Sequence, residues 1–233
     1  MLEENNYRVH EATYGSKIGE KTDVCHWNAK FRDYMDKILV TEHQNKYFTD
    51  GRKNSVIMFK SCYPNNLIKS HGDEPGDADS CEKTITNFKA AYAALLPYFS
   101  SQAGTMFVAL TTPPLALPSP ERINSLKERG YIMVSDNIDN VGRRARAFNN
   151  WLKDRQNGWL KDYALNNVVV FDLYDVLTDG GASNWSCYPS RQGKDSHPNS
   201  EGNTRAAQEL IRFFKKSLNQ VSITDAYGVG TIT

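Results

Sequence analysis

The chain has 233 residues, which suits a single α/β domain or a domain with one appendage. Its formal net charge of +1 and its lack of a basic run argue against nucleic acid as a partner. No apolar run approaches the roughly 18 residues of a membrane-spanning helix, so no membrane span is expected. Residues 1–6 are polar and unlike a signal peptide. This predicts a cytoplasmic protein, or a periplasmic or extracellular one whose leader has been removed.

Apolar patterning predicts a regular alternation of strands and helices. Short apolar runs predict strands at residues 7–10, 56–59, 106–110 and 168–173. Apolar side chains at steps of three and four predict helices at residues 25–40, 83–100, 120–129, 136–156 and 201–217. In chain order these elements alternate in the way that is typical of a parallel sheet covered on both faces. Residues 1–220 are therefore expected to form one domain, and residues 221–233 a C-terminal tail.

The polar stretches and the cysteines allow more than one structural interpretation. Residues 41–54 and 180–196 are expected to be loops. The basic side chains of the helix at 136–156 are expected to form its solvated face, and they are Arg143, Arg144, Arg146 and Lys153. Four cysteines allow up to two disulfides or four reduced thiols, with Cys62–Cys187 and Cys62–Cys81 as candidate pairs.

Three polar segments are expected at the carboxyl ends of predicted strands, at residues 13–16, 61–66 and 195–197. Ligands collect at the carboxyl ends of parallel strands, so these segments are expected to lie around one site. Acyl transfer needs a nucleophile, oxyanion donors and a base. The first segment offers a hydroxyl, the second offers amides, and the third offers an acid with a histidine. The alternative interpretation is a polar loop that carries a surface histidine.

Asp195 and His197 are the candidates for the acid and the base. Histidine has an ordinary pKa of about 6.5, so it both takes and gives protons near neutral pH. A nearby carboxylate fixes its tautomer and stabilises the imidazolium form. The alternative roles are helix capping for Asp195 and a structural position in the loop for His197.

At these residues the chain resembles the SGNH/GDSL hydrolase superfamily, over residues 7–218. The segment Asp195-Ser196-His197-Pro198-Asn199 is similar to the superfamily's last motif, which carries the acid and the base. Residues 56–66 resemble the strand and loop that hold its oxyanion asparagine, and residues 107–114 resemble the strand and Pro-rich loop that follow. A bacterial branch of the superfamily shares the patterns at residues 60–64, 112–115 and 143–152.

The resemblance implies a three-layer α/β/α sandwich with a central parallel sheet, of the flavodoxin-like SGNH hydrolase type. It also implies ester hydrolysis, often of acyl or acetyl groups, with neither a cofactor nor a metal. The substrate would then be a small-molecule or glycan ester. The alternative is a catalytically inactive protein of the same fold that binds a polysaccharide or a protein partner. The sequence leaves the oligomeric state open.

Alignment with the superfamily assigns the catalytic positions. Thr13 takes the nucleophile position, where serine is usual, and Ser16 is the second candidate. The acid usually lies three residues before the histidine, but that position holds Lys194, so Asp195 is the expected acid. A thiol nucleophile activated by His197 is a further alternative, since Cys62 and Cys187 are both expected near the site.

The remaining site residues are expected in the same loops and beside them. Asn65 or Asn66 would donate to the oxyanion, together with the backbone N–H of Gly15, and Ser61 would belong to the same loop. Three aromatic side chains would line an acyl or sugar pocket, namely Tyr14, Tyr63 and Trp185.

Overall fold

A seven-stranded sheet forms the centre of the structure, a computed structural model that describes residues 2–220 and 229–232. For residues 218–220 and 229–232 it describes the backbone alone. The strands are β1 Val9–Ala12, β2 Thr41–His43, β3 Lys46–Tyr47, β4 Val56–Phe59, β5 Met106–Leu110, β6 Val168–Phe171, β7 Pro189–Ser190, β8 Asp195–Pro198 and β9 Val229–Ile232. The helices are α1 Trp27–Leu39, α2 Ile85–Ser100, α3 Pro120–Glu128, α4 Ile138–Lys153, α5 Leu173–Leu177 and α6 Ser200–Gln220.

The order of strands in the sheet is β3-β2-β1-β9-β4-β5-β6. Every neighbouring pair is parallel except β2 and β3, which form an antiparallel hairpin at one edge. Strands β7 and β8 lie outside this sheet and pair with each other. The prediction of an α/β protein with a central parallel sheet is confirmed.

Hydrophobic clusters cover both faces of the sheet. Ile57 and Phe59 of β4 pack into one cluster with side chains of α1, α2 and α4. Val56 and Met58, the alternate residues of the same strand, pack into a second cluster with α5 and α6. Successive side chains of a strand point to opposite faces, so a continuous apolar run is required where both faces are buried. This is why the apolar runs of β4 and β5 predict their bounds correctly.

Six elements differ from the sequence-based predictions. Strands β2 and β3 lie in the expected loop 41–54, and the β7–β8 hairpin lies in and just after the expected loop 180–196. Helix α5, which the sequence pattern does not predict, follows β6. Strand β9 lies between β1 and β4, within the segment 221–233 that was expected to be a tail. Residues 221–228 and 233 lie outside the described residues.

The basic residues of α4 form ion pairs rather than a solvated face. Arg144 pairs with Asp136 and donates to the carbonyl oxygen of Ile68 at 2.7 Å. Arg146 pairs with Asp175, and Lys153 lies 2.5 Å from an Asp172 oxygen. The expectation of a solvated face is therefore wrong for three of the four side chains. These pairs join α4 to the start of α5 and to the segment before α4 itself.

One disulfide joins Cys25 to Cys81 across a sequence separation of 56. It ties the turn before α1 to the loop before α2. Neither candidate pair is formed, and the thiols of Cys62 and Cys187 are free. Among the described helices, none combines the length and the apolar character needed to cross a bilayer.

Candidate functional site

Asp195 and His197 form a hydrogen-bonded pair on strand β8. The Nδ1 atom of His197 lies 2.6 Å from Oδ1 of Asp195, and the backbone N–H of His197 donates to the same oxygen at 3.0 Å. Residues two apart on a strand share a face, so the spacing of two brings both side chains together. The expectation that Asp195 reaches His197 is therefore confirmed.

The local electrostatics keep the acid ionised. The backbone and ring N–H groups of His197 donate to Asp195, and the Arg191 guanidinium lies 3.8 Å away. Together they hold the pKa of the Asp195 carboxyl below its usual range. A carboxylate that accepts from Nδ1–H selects the tautomer in which Nε2 carries a lone pair. The His197 side chain is 70% exposed, so this nitrogen is accessible to a reactant.

A groove of about 730 Å³ contains this pair. Its walls are formed by residues 62–64 and Leu67, residues 115, 116, 118 and 119, residues 193–197, and the side of α3 that carries Arg122 and Leu126. The hydroxyl of Ser196 accepts from the backbone N–H of Ala116 at 3.0 Å, which fixes β8 against the wall formed by residues 115–119. Apolar side chains of residues 64, 67, 115, 116, 118 and 126 line one part of the groove, and polar side chains come from residues 194–197, Ser119 and Arg122.

Tyr63 forms the inner wall beside the base. Its ring centroid lies 4.6 Å from that of His197, and the Lys60 ammonium lies 5.2 Å from the Tyr63 ring. Burial raises the pKa of the Tyr63 hydroxyl to about 12, so it is neutral at physiological pH. Tyr63 thus lines the groove, and its contact with a substrate stays a prediction.

The two predicted hydroxyl nucleophiles occupy different environments. Thr13 follows β1, where its Oγ1 accepts from Nε2 of Gln44 at 2.6 Å, and it is not among the residues that line the groove. Ser16 is fully buried. Its hydroxyl donates to the Thr13 carbonyl oxygen at 2.8 Å and accepts from the Gly19 N–H at 2.9 Å. Ser16 therefore holds its own loop together and is not available to a substrate.

The predicted oxyanion donors are engaged in structural hydrogen bonds. The side-chain amide of Asn65 donates to Oδ1 of Asp23 at 2.8 Å and to the carbonyl oxygen of Cys62 at 2.9 Å. The side-chain amide of Asn66 donates to the carbonyl oxygens of Thr112 and Pro113, at 2.9 and 2.7 Å. An amide has only two N–H donors, so neither side chain has one left for an oxyanion.

Ser61 and Gly15 are also placed away from a substrate. Ser61 is fully buried, and its hydroxyl donates to Oγ1 of Thr112 at 3.3 Å. Gly15 lies in the exposed loop after β1 with φ of +90°, a conformation that favours glycine. Neither residue lines the groove around His197.

The other two predicted aromatic residues have different positions. Tyr14 is 66% exposed, and its hydroxyl bonds to Thr22 at 3.1 Å and to the sulfur of Cys62 at 3.6 Å. It lines a second basin next to the groove. Trp185 packs against α4 at Gly142, within a hydrophobic cluster that includes Leu67 and Val141. Trp185 is not among the residues that line the groove of His197, and its place in a substrate pocket stays a prediction.

Cys62 lines both the groove of His197 and the second basin. Its sequence signal is its place directly after the carboxyl end of a buried strand, where ligands collect in parallel sheets. Among the described residues, Cys25, His26 and Cys81 bring their donor atoms within 4.8 Å of one another, as metal ligands do. The two sulfurs are joined in the disulfide, however, so they do not offer thiolates to a metal.

Comparisons with family models, with curated proteins and with solved structures find no match for this chain. The resemblance to the SGNH/GDSL superfamily therefore stays a prediction that depends on the residues quoted for it.

Proposed function

We propose that this protein is an ester hydrolase with an SGNH/GDSL-type three-layer α/β/α fold. The observation that carries the proposal is the Asp195–His197 pair, with a 2.6 Å contact between the carboxylate and Nδ1, in an open groove. An oriented imidazole with an accessible Nε2 is the base that acyl transfer requires.

In the proposed reaction, Nε2 of His197 takes a proton from a side-chain nucleophile as that group attacks the ester carbonyl carbon. The imidazolium, stabilised by Asp195, returns the proton to the leaving alcohol oxygen when the ester C–O bond breaks. Water then attacks the acyl-enzyme with His197 again as the base, which releases the carboxylic acid and restores the nucleophile.

Two side chains are candidates for the nucleophile. Cys62 is favoured by its position, because it lines the same groove as His197 and its sulfur accepts a hydrogen bond from Tyr14. Thr13 is favoured by the resemblance, and its hydroxyl oxygen already accepts from Gln44, which leaves its own proton free to be donated to a base. Since the side-chain amides of Asn65 and Asn66 are engaged in structural hydrogen bonds, they are not part of the proposed reaction.

The test is hydrolysis of p-nitrophenyl acetate by the wild type and by single variants. His197→Ala is expected to lower kcat/KM by about 100-fold to 10,000-fold, the usual contribution of a general base. His71→Ala is the matched control, because His71 is an exposed histidine that does not line the groove. Cys62→Ala and Thr13→Ala then identify the nucleophile. Equal rates in the wild type and in folded His197→Ala would refute the proposed mechanism.

Binding without catalysis is the second candidate function, and one observation favours it. The oxyanion donors that the superfamily would supply from Asn65 and Asn66 are committed to Asp23 and to backbone carbonyl groups. A protein that binds a polysaccharide or a protein partner has no need of such donors. Saturable binding of a glycan by a wild type that hydrolyses no ester would establish this function instead.

A further inference from the structure

A second basin of about 500 Å³ adjoins the groove of His197. Five residues line both the groove and the basin, namely Cys62, Pro64, Leu67, Arg122 and Leu126. The two spaces therefore form one continuous depression. A ligand whose reacting group lies at His197 is therefore able to extend into the second basin.

The lining of this basin is strongly basic. Four cationic side chains line it, namely Lys21, Lys83, Arg122 and Arg129, against the single carboxylate of Asp23. The formal net charge of the whole chain is only +1, so positive charge is concentrated here. Asp23 also accepts a hydrogen bond from the amide of Asn65, which partly occupies it.

These four cations lack carboxylate partners in the part of the chain that the structure describes. The ammonium of Lys83 donates to the carbonyl oxygen of Pro64 at 3.0 Å, and the guanidinium of Arg129 donates to the Tyr131 hydroxyl at 3.2 Å. Elsewhere on the surface the basic side chains commonly pair with acids, as Arg52 does with Asp50 at 2.7 Å. Cations that face one concave space without acids attract an anionic ligand.

Two exposed tyrosines flank the cations. Tyr14 is 66% exposed and Tyr131 is 41% exposed, and both line the basin. Aromatic rings with a polar tip provide amphipathic contact area at little cost in conformational entropy. Guanidinium groups match the planar arrangement of carboxylate oxygens and bind oxyanions through paired hydrogen bonds.

We propose that the second basin binds an acidic oligosaccharide, with its carboxylate or sulfate groups on the four cations and its sugar rings on Tyr14 and Tyr131. If the proposed function is correct, the substrate is an ester of such a saccharide, with the ester group at His197. The binding itself does not depend on catalysis, and so it is tested separately.

The experiment is isothermal titration calorimetry at low ionic strength with three probes. Trigalacturonate carries carboxylates, a heparin-derived tetrasaccharide carries sulfates, and maltotriose is the neutral reference. We expect at least one acidic probe to bind and maltotriose to give no measurable heat. The tighter acidic probe identifies the anionic group. Affinity is expected to fall as sodium chloride is raised, because these charges are screened.

Charge-neutralising variants locate the site. Arg122→Gln and Arg129→Gln are each expected to weaken binding of the acidic probe by about tenfold, the loss of one charge-assisted contact. Lys46→Gln removes an exposed positive charge outside the basin and is expected to bind like the wild type. The readout is binding of probes that carry no ester, so a failure of the esterase proposal leaves it intact.

Three results would overturn the inference. The first is equal binding of maltotriose and the acidic probes, and the second is no binding of any probe. The third is unchanged affinity in folded Arg122→Gln and Arg129→Gln, because these side chains would then not face the ligand. Circular dichroism of each variant establishes that it is folded, and both side chains are exposed, so their replacement is not expected to disturb the core.

Discussion

Gly202 lies at the contact between α6 and the hairpin that carries the Asp195–His197 pair. A Cβ atom added at this position would lie 2.6 Å from the Cβ of Tyr188 and 2.9 Å from the Cβ of Pro198. Carbon atoms in optimal contact are about 3.5–4.0 Å apart, so each of these contacts is too short by roughly 0.6–1.4 Å. Because both neighbours are Cβ atoms, they are attached directly to the backbone, and relief requires the hairpin to move.

The magnitude of the Gly202→Ala effect follows from two opposed terms. Overpacking of a buried contact typically costs about 1–3 kcal/mol, and two short contacts put this position in the upper part of that range. Alanine is more favourable than glycine in a helix by about 1 kcal/mol. We expect a net loss of about 1–2 kcal/mol in the free energy of unfolding, which lowers Tm by about 2–8 °C for a chain of this size.

Thermal unfolding followed by circular dichroism measures this change. Gly104→Ala is the control, because an added Cβ there meets no atom within 4 Å. It is expected to leave Tm unchanged or to raise it slightly, because alanine restricts the unfolded chain. A Gly202→Ala protein that melts at or above the wild-type temperature would show that the hairpin does not pack on α6 as described.

Three further predictions test other parts of the structure. Replacing both Cys25 and Cys81 by serine is expected to lower the free energy of unfolding by about 4 kcal/mol, because the disulfide restricts a loop of this length in the unfolded chain. Unfolding in urea measures the difference. Asn66→Ala leaves buried carbonyl oxygens of Thr112 and Pro113 without their donor, so we expect it to lower the free energy of unfolding in urea by about 2–4 kcal/mol. Unchanged stability together with lost activity would instead indicate that Asn66 is an oxyanion donor. Burial lowers the pKa of Lys30 to about 8, below the ordinary value of 10.5. Between about pH 8 and pH 10.5 the unfolded chain therefore binds more protons at Lys30 than the folded chain does. The contribution of Lys30 to the free energy of unfolding rises with pH across that window, and we expect Lys30→Met to remove this rise.

The parts of the fold that follow from the sequence are those governed by burial alone. Strands β4 and β5 are continuous apolar runs because both of their faces are covered, and their predicted bounds agree with the structure. Strands β2 and β3 are short and largely polar, and their pairing with β1 and with each other is what makes them strands. Such pairing depends on partners elsewhere in the chain, which a local pattern does not reveal.

The same distinction applies to the site. Asp195 and His197 are two residues apart on one strand, so their contact depends on local geometry and was predictable. The roles of Asn65 and Asn66 depend on partners more than 40 positions away, Val24 for one and Thr112 for the other. The ion pairs of Arg146 and Lys153 likewise join α4 to residues 19–29 positions away, next to α5. Residue type alone does not distinguish a structural amide from a catalytic one.

The central claim is that His197 activates a side-chain nucleophile for acyl transfer. The measurement that tests it most directly is mass spectrometry of protein quenched during turnover of p-nitrophenyl acetate, followed by peptide mapping. We predict an acetyl adduct on Cys62 or Thr13 in the wild type, and its loss in His197→Ala but not in His71→Ala. An adduct that forms equally in His197→Ala, or a wild type that forms no adduct and releases no nitrophenol, would contradict the claim.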